Sequence, residues 1–135
     1  MSIDWSSFFQ QMRRTLSSSE EQRVVIISPY ISTSIAKQLL SETEEEVTIV
    51  TNWSELNLLQ GVSSLDLYDF CQERGFELRI LSSLHAKLYL IGSKLWIGSA
   101  NLTAKGMQLA MNSNDESMTM MAVSYTHLRA HETEA

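Results

Sequence analysis

The sequence predicts an α/β domain, with a mixed, mainly parallel sheet flanked by helices on both faces. Three observations predict it. Helical and strand patterns alternate along the first eighty residues. The runs "RVVIIS" and "EVTIVTNW" are short, continuous and β-branched, the mark of strands covered on both faces. "HAKLYLI" and "LWIGSAN" then read as two strands of a hairpin. At 135 residues, with 44% hydrophobic residues and a single proline, the chain supports one domain with one core, expected over residues 1–122.

Asp4 to Leu16 places Trp5, Phe8, Phe9, Met12 and Leu16 three and four apart, an amphipathic helix. The first strand, "RVVIIS", ends at "SPYISTS", where Pro29 stops it and Ser32 or Thr33 can cap the helix "SIAKQLLSE". "EVTIVTNW" is the second strand. The stretch "SELNLLQGVSSLDLYDFCQERGF" reads as one or two helices, broken at Gly61 and stopped at Gly75. "ELRIL" is the third strand. Right-handed crossovers between parallel strands place ligands at the strands' carboxyl ends, so "SPY" and "TNW" are expected beside any site. Trp5, Trp53 and Trp96 are read as core, and "ETEEE" at 42–46 as a solvated helix end rather than a metal site.

Charge is distributed unevenly. The formal net charge of −6 argues against a polyanionic partner, yet residues 78–114 carry Arg79, Lys87, Lys94 and Lys105 and no acid. Phosphate would be drawn to that window. Met1 to Gln11 lacks the basic start and apolar run of a signal peptide, and no apolar stretch approaches the roughly 20 residues that span a bilayer. The lone Cys71 has no internal disulfide partner, which fits a reducing, cytoplasmic setting, and is read as a small core residue.

"VSYTHLRAHET" at 123–133 resembles a translated sequencing adapter. Residues 123–135 are therefore expected to be a non-native tail, with the natural sequence cut near Ala122 and His127 and His131 excluded from chemistry.

That leaves His85. Along "HAKLYLI" the alternation sends His85, Lys87, Tyr89 and Ile91 to one face. Two hairpin registers are open. If Gly92 and Ser93 alone form the turn, Lys87 faces Gly98 and Ser99 falls on the opposite side; if Lys94 joins the loop, His85, Lys87, Ser99 and Asn101 share a face. In the second register a lysine charge, a hydroxyl and an amide donor surround one point, a set suited to the nonbridging oxygens of a phosphodiester. His85 would stand beside them as nucleophile or general acid.

"HAK", "GSAN" and "LTAKG", in that order across residues 84–106, resemble the His-x-Lys and Gly-Ser-x-Asn segments of the phospholipase D superfamily. The looser pattern of "VVIISPYIS", "VTIVTNW" and "FELRIL" is similar to its single-domain nuclease and restriction-endonuclease branches. The resemblance implies catalysis without metal or cofactor. His85 would be the nucleophile that forms a phosphohistidine, Lys87, Ser99 and Asn101 the phosphate clamp, and Glu116 the carboxylate that orients the histidine, with Asp115 as its alternative. It also implies a second copy of the motif, supplied by a symmetric homodimer or by sequence beyond the end. One departure stands out, since the family's aspartate five residues after the lysine is here Gly92.

Three functions follow as expectations. The first is a nuclease acting on DNA; the second a phospholipid headgroup hydrolase, disfavoured because no basic amphipathic membrane element is visible; the third a non-catalytic nucleic-acid or protein interaction module, favoured by Gly92.

Overall fold

A computed structural model describes residues 7–18, 22–52, 65–109 and 116–123. Helix α1 (Phe8–Leu16) starts at Ser7, whose hydroxyl accepts the Gln10 N–H at 3.3 Å, and buries Phe9 and Met12. Strand β1 (Arg23–Ile27) leads to α2 (Thr33–Leu40), which begins after Ser32 and buries Ile35, Ala36, Leu39 and Leu40. Strand β2 (Glu46–Thr51) follows, then α3 (Leu65–Arg74), which ends at Gly75 as the sequence predicts. The break expected at Gly61 lies outside the described residues. Four strands complete the order: β3 (Glu77–Ile80), β4 (Leu88–Ile91), β5 (Lys94–Gly98) and β6 (Met118–Ala122).

The six strands form one sheet in the order β3-β2-β1-β4-β5-β6. β1 pairs parallel with β2, and β2 with β3; β1–β4, β4–β5 and β5–β6 are antiparallel. The sheet is thus mixed as expected, but mostly antiparallel rather than mainly parallel. The reason lies in residues 81–87. Seven residues are too few for a helical crossover, so the chain cannot return to start a fourth parallel strand and runs back antiparallel instead.

Alternation decides where the core sits. Val24, Ile26, Val47, Ile49, Tyr89, Ile91 and Trp96 project to one side of the sheet and pack with Phe9, Met12, Leu40, Leu67 and Phe70. α1 packs on α2 and α2 on α3, so all three described helices cover this one face. Helices on both faces are therefore not found among the described residues. On the other side Val25, Ile27, Val50, Leu88 and Leu95 are half-buried. Trp96 is core, as expected; Trp5 and Trp53 lie outside the described residues. Of the acidic run, Glu42, Glu44 and Glu46 are exposed.

Cys71 is buried in α3, and burial pushes its thiol up to about 11. Because the thiolate is the reactive form, iodoacetamide at pH 8.5 is expected to leave the native protein unmodified and to alkylate it once it is denatured in urea. The same shift has a stability consequence with a definite sign. Its effect is absent below pH 9, and stability falls as pH rises from 9 towards 11, because the unfolded chain loses the proton first. Rapid alkylation of the folded protein would contradict this placement.

Candidate active site

The connection from β3 to β4 puts the first candidate residues in place. β3 lies at one edge of the sheet and β4 beside β1, so residues 81–87 cross the carboxyl ends of β2 and β1. Three strand positions are about 14 Å, which seven residues span comfortably. Backbone bonds anchor this end: Leu81 N–H donates to Thr51 O at 2.9 Å and Ser28 N–H to Val50 O at 3.0 Å. His85 and Lys87 thus ride on an irregular connection over the strand ends, not on a strand as the alternation predicts. His85 is exposed and Lys87 half-buried, and among the described residues neither side chain has a hydrogen-bond or ion-pair partner.

The hairpin takes the shorter of its two registers. Ile91 pairs with Lys94 and Leu88 with Ile97, so Gly92 and Ser93 alone form the turn and Lys94 belongs to the strand. The three-residue loop needed to align His85 with Asn101 does not form. The turn chemistry explains why: Gly92 has φ of 59°, and glycine at the first central position followed by serine suits a type II′ turn. This is also where the resembling family carries aspartate. A Cβ here would lie 3.3 Å from the Gln22 Cγ, in a backbone conformation that a side chain strains. Gly92→Asp is expected to cost about 1–3 kcal/mol, read as a lower midpoint in urea, without raising activity. An unchanged midpoint would refute the strain.

Register does not govern the rest of the motif, because the β4–β5 ladder ends at the Leu88–Ile97 pair. One bond continues it, from Gly98 N–H to Lys87 O at 3.3 Å. Beyond that, the Gly-Ser-Ala-Asn segment divides its side chains between two anchors.

Ser28, at the carboxyl end of β1 and 0% exposed, is the first anchor. Its hydroxyl donates to Tyr30 O at 2.7 Å, accepts the Leu102 N–H at 3.0 Å and lies 3.3 Å from the Asn101 Oδ1. Tyr30 N–H also donates to the Asn101 Oδ1, at 3.4 Å. Ile31 and Leu102 form a parallel bridge, and Ser32 N–H donates to Leu102 O at 2.8 Å. A backbone N–H can only donate, so the amide oxygen of Asn101 faces inward. Its two side-chain N–H donors make no hydrogen bond among the described residues. Below, the buried Tyr89 hydroxyl donates to Ala100 O at 2.6 Å. Burial pushes that phenol well above its usual range, opposed by a hydrogen bond with Ser28 and reinforced by the Glu116 charge.

Glu116 is the second anchor. The Ser99 hydroxyl donates to Glu116 Oε2 and accepts the Ser117 N–H at 3.0 Å, and Ser99 N–H donates to Ser117 O at 3.0 Å. Glu116, just before β6, is therefore bound to Ser99 and makes no hydrogen bond to His85. Asp115 lies outside the described residues. The structure brings Ser99 to Glu116 and Asn101 to Ser28 and Tyr30. No hydrogen bond or ion pair among the described residues joins the His85 or Lys87 side chain to either pair. Ser28, Tyr30 and Tyr89 were not singled out from sequence, although "SPY" at a strand's carboxyl end was the signal for two of them.

The basic window is weaker than its count suggests. Arg79 Nε pairs with Glu77 Oε1 at 2.7 Å, and Arg79 beside it holds the Glu77 carboxyl below its usual range. Lys87, Lys94 and Lys105 carry what attraction remains. Among the described residues there is no cluster of potential metal ligands and no helix long and apolar enough to cross a membrane.

A family model described as cardiolipin synthase, PLD-like domain, matches residues 12–131. The match begins within α1 and runs into the C-terminal stretch, of which residues 124–135 lie outside the described residues. No curated protein matches the chain. Among solved structures it is similar to TrmBL2, an archaeal chromatin protein whose structure shows a novel mode of DNA binding, with TM-score 0.55 and 11% identity over 93% of this chain and 45% of that one. It is also similar to the polyphosphate kinase of Porphyromonas gingivalis, with TM-score 0.56 and 13% identity over 93% of this chain and 24% of that one. At such identities the likeness is one of fold. The chain spans less than half of the first protein and about a quarter of the second.

Proposed function

The chain belongs to the PLD-like domain family, and from that premise we propose that it is a metal-independent phosphodiesterase acting on nucleic acid, DNA in the first instance. The family generally hydrolyses or transfers phosphodiesters. The observation that carries the reading is the anchoring of Asn101, whose amide oxygen is held by Tyr30 N–H so that its N–H donors are turned to a ligand beside the carboxyl end of β1. Such donors, fixed before the substrate arrives, stabilise the charge that builds on phosphoryl oxygens.

In this reading Lys87 and Asn101 hold two nonbridging oxygens, and Ser99, positioned by Glu116, contributes its hydroxyl. An imidazole nitrogen of His85 attacks phosphorus, and the N–P bond forms as the P–O bond to the leaving strand breaks. The leaving oxygen takes a proton from the histidine of a second motif copy. Water, giving its proton to that same histidine, then attacks phosphorus, the N–P bond breaks, and a phosphate monoester departs. This sequence holds one motif, and the second would come from a homodimer that shares a site across its symmetry axis or from sequence beyond the end.

Turnover of bis(p-nitrophenyl) phosphate and of a labelled oligonucleotide in excess EDTA tests the proposal, with acid quenching used to trap phosphohistidine. Activity that disappears on chelation would sink the metal-free chemistry. A second reading, a non-catalytic nucleic-acid-binding module, draws on Gly92 in the aspartate's place and on the fold shared with a DNA-binding chromatin protein. It predicts oligonucleotide binding with no turnover.

A further inference from the structure

The tyrosine beside the phosphate-site amide has no part in the chemistry above. Residues Pro29 and Ile31 on either side of it are buried, while Tyr30 is 38% exposed. Its backbone is held on three sides: the Ser28 hydroxyl donates to its carbonyl at 2.7 Å, its own N–H reaches the Asn101 Oδ1 at 3.4 Å, and the next residue bridges to Leu102. Asn52 N–H donates to Pro29 O at 3.4 Å, and Thr51 Oγ1 donates to the same carbonyl at 3.2 Å. An aromatic residue is thus mounted on a hydrogen-bonded turn whose backbone N–H lies 3.4 Å from the side-chain oxygen of Asn101, the residue that would hold a phosphoryl oxygen.

We infer that Tyr30 is a stacking platform for the nucleobase next to the scissile phosphate, and that it selects single-stranded or frayed nucleic acid over other phosphodiesters. The inference rests on the phosphodiesterase reading of the same site. Two chemistries sit on adjoining, hydrogen-bonded segments: amide donors suited to a phosphate on Asn101 and a partly exposed aromatic side chain on Tyr30. A nucleotide offers both partners, whereas a glycerophosphate headgroup offers only the first. Stacking on an aromatic side chain does not depend on base identity, so the platform supplies affinity without sequence preference. A pre-fixed backbone also lowers the entropy lost on binding. Trp96, read from the sequence as core, does not supply such a ring: it is 1% exposed and packs inside the sheet's covered face.

The test is binding of the full chain, in EDTA, to a fluorescein-labelled single-stranded 12-mer and to the same 12-mer with one abasic nucleotide. Tyr30→Leu keeps an apolar side chain of similar bulk and Tyr30→Phe keeps the ring. Tyr30→Leu is expected to bind the intact oligonucleotide about 5- to 100-fold more weakly than wild type, and Tyr30→Phe within about threefold. On the best-placed abasic oligonucleotide, wild type and Tyr30→Leu are expected to bind alike. A merely structural role would weaken binding to both oligonucleotides equally, and that result, or Tyr30→Leu binding as wild type does, overturns the inference. Wild type that hydrolyses bis(p-nitrophenyl) phosphate but binds no oligonucleotide overturns it while leaving phosphodiester hydrolysis in place. Wild type that binds the oligonucleotide with the expected Tyr30 dependence, but turns over neither substrate, upholds the platform and removes the enzyme.

Discussion

His85→Ala is expected to lower phosphodiester hydrolysis in EDTA by about a thousand-fold or more, and to abolish the acid-labile phosphoprotein trapped by rapid quenching. The substitution would isolate the proposed chemistry from the fold. His85 is exposed, lies outside the sheet ladder and has no side-chain partner among the described residues, so its removal should change stability by no more than about 0.5 kcal/mol. Loss of activity at an unchanged urea midpoint would then report the missing nucleophile and not a damaged fold. Activity retained by the variant would end the phosphohistidine mechanism outright.

Gly106→Ala is expected to act in the opposite manner, through the frame. A Cβ at Gly106 would stand 2.2 Å from the Asn101 carbonyl oxygen and 2.9 Å from its amide nitrogen. Both obstacles are backbone, so relief requires the turn that carries Lys105 and Gly106 to move away from Asn101, or Asn101 to move with it. Overpacking of this kind costs about 1–3 kcal/mol. The larger effect should be on turnover. Donors to a developing oxyanion work within a few tenths of an ångström of about 2.9 Å, and removing one typically costs about 100- to 1,000-fold in kcat. We therefore expect kcat to fall by tenfold or more at temperatures where circular dichroism shows the fold intact, with the urea midpoint lowered. A Gly106→Ala protein with wild-type midpoint and wild-type kcat would show that the close approach positions nothing.

The sequence revealed the elements better than their assembly. The first helix declared itself through periodicity, Phe9 and Met12 belonging to the stripe that the spacing predicts, and α2 through its start signal after Pro29, burying Ile35, Ala36, Leu39 and Leu40. Strand polarity was missed although the clue was present, since seven residues between β3 and β4 exclude a helical crossover. The hairpin register was also within reach. Gly92-Ser93 is a two-residue turn signature, and it outweighs the wish to bring four motif residues to one face. The site's anchoring was out of reach. Ser28 and Asn101 are 73 positions apart and meet only because the chain after β5 folds back beside the carboxyl end of β1. No local pattern encodes that meeting. The pairing of Glu116 with Ser99, 17 positions away, depends likewise on the antiparallel placement of β6.

The overpass formed by residues 81–87 bears on how such a domain can change length. A side chain seated within a strand would be turned to the other face by any single insertion upstream, because strands count in twos. One carried on a slack connection answers to reach instead of parity. Insertions between Leu81 and Leu84 can be absorbed as a wider arc, whereas shortening soon draws the span between Ile80 and Leu88 taut, with about 14 Å to bridge. Length variation upstream of His85 is thereby one-sided: growth is tolerated and loss is bounded by a ruler that the sheet itself provides.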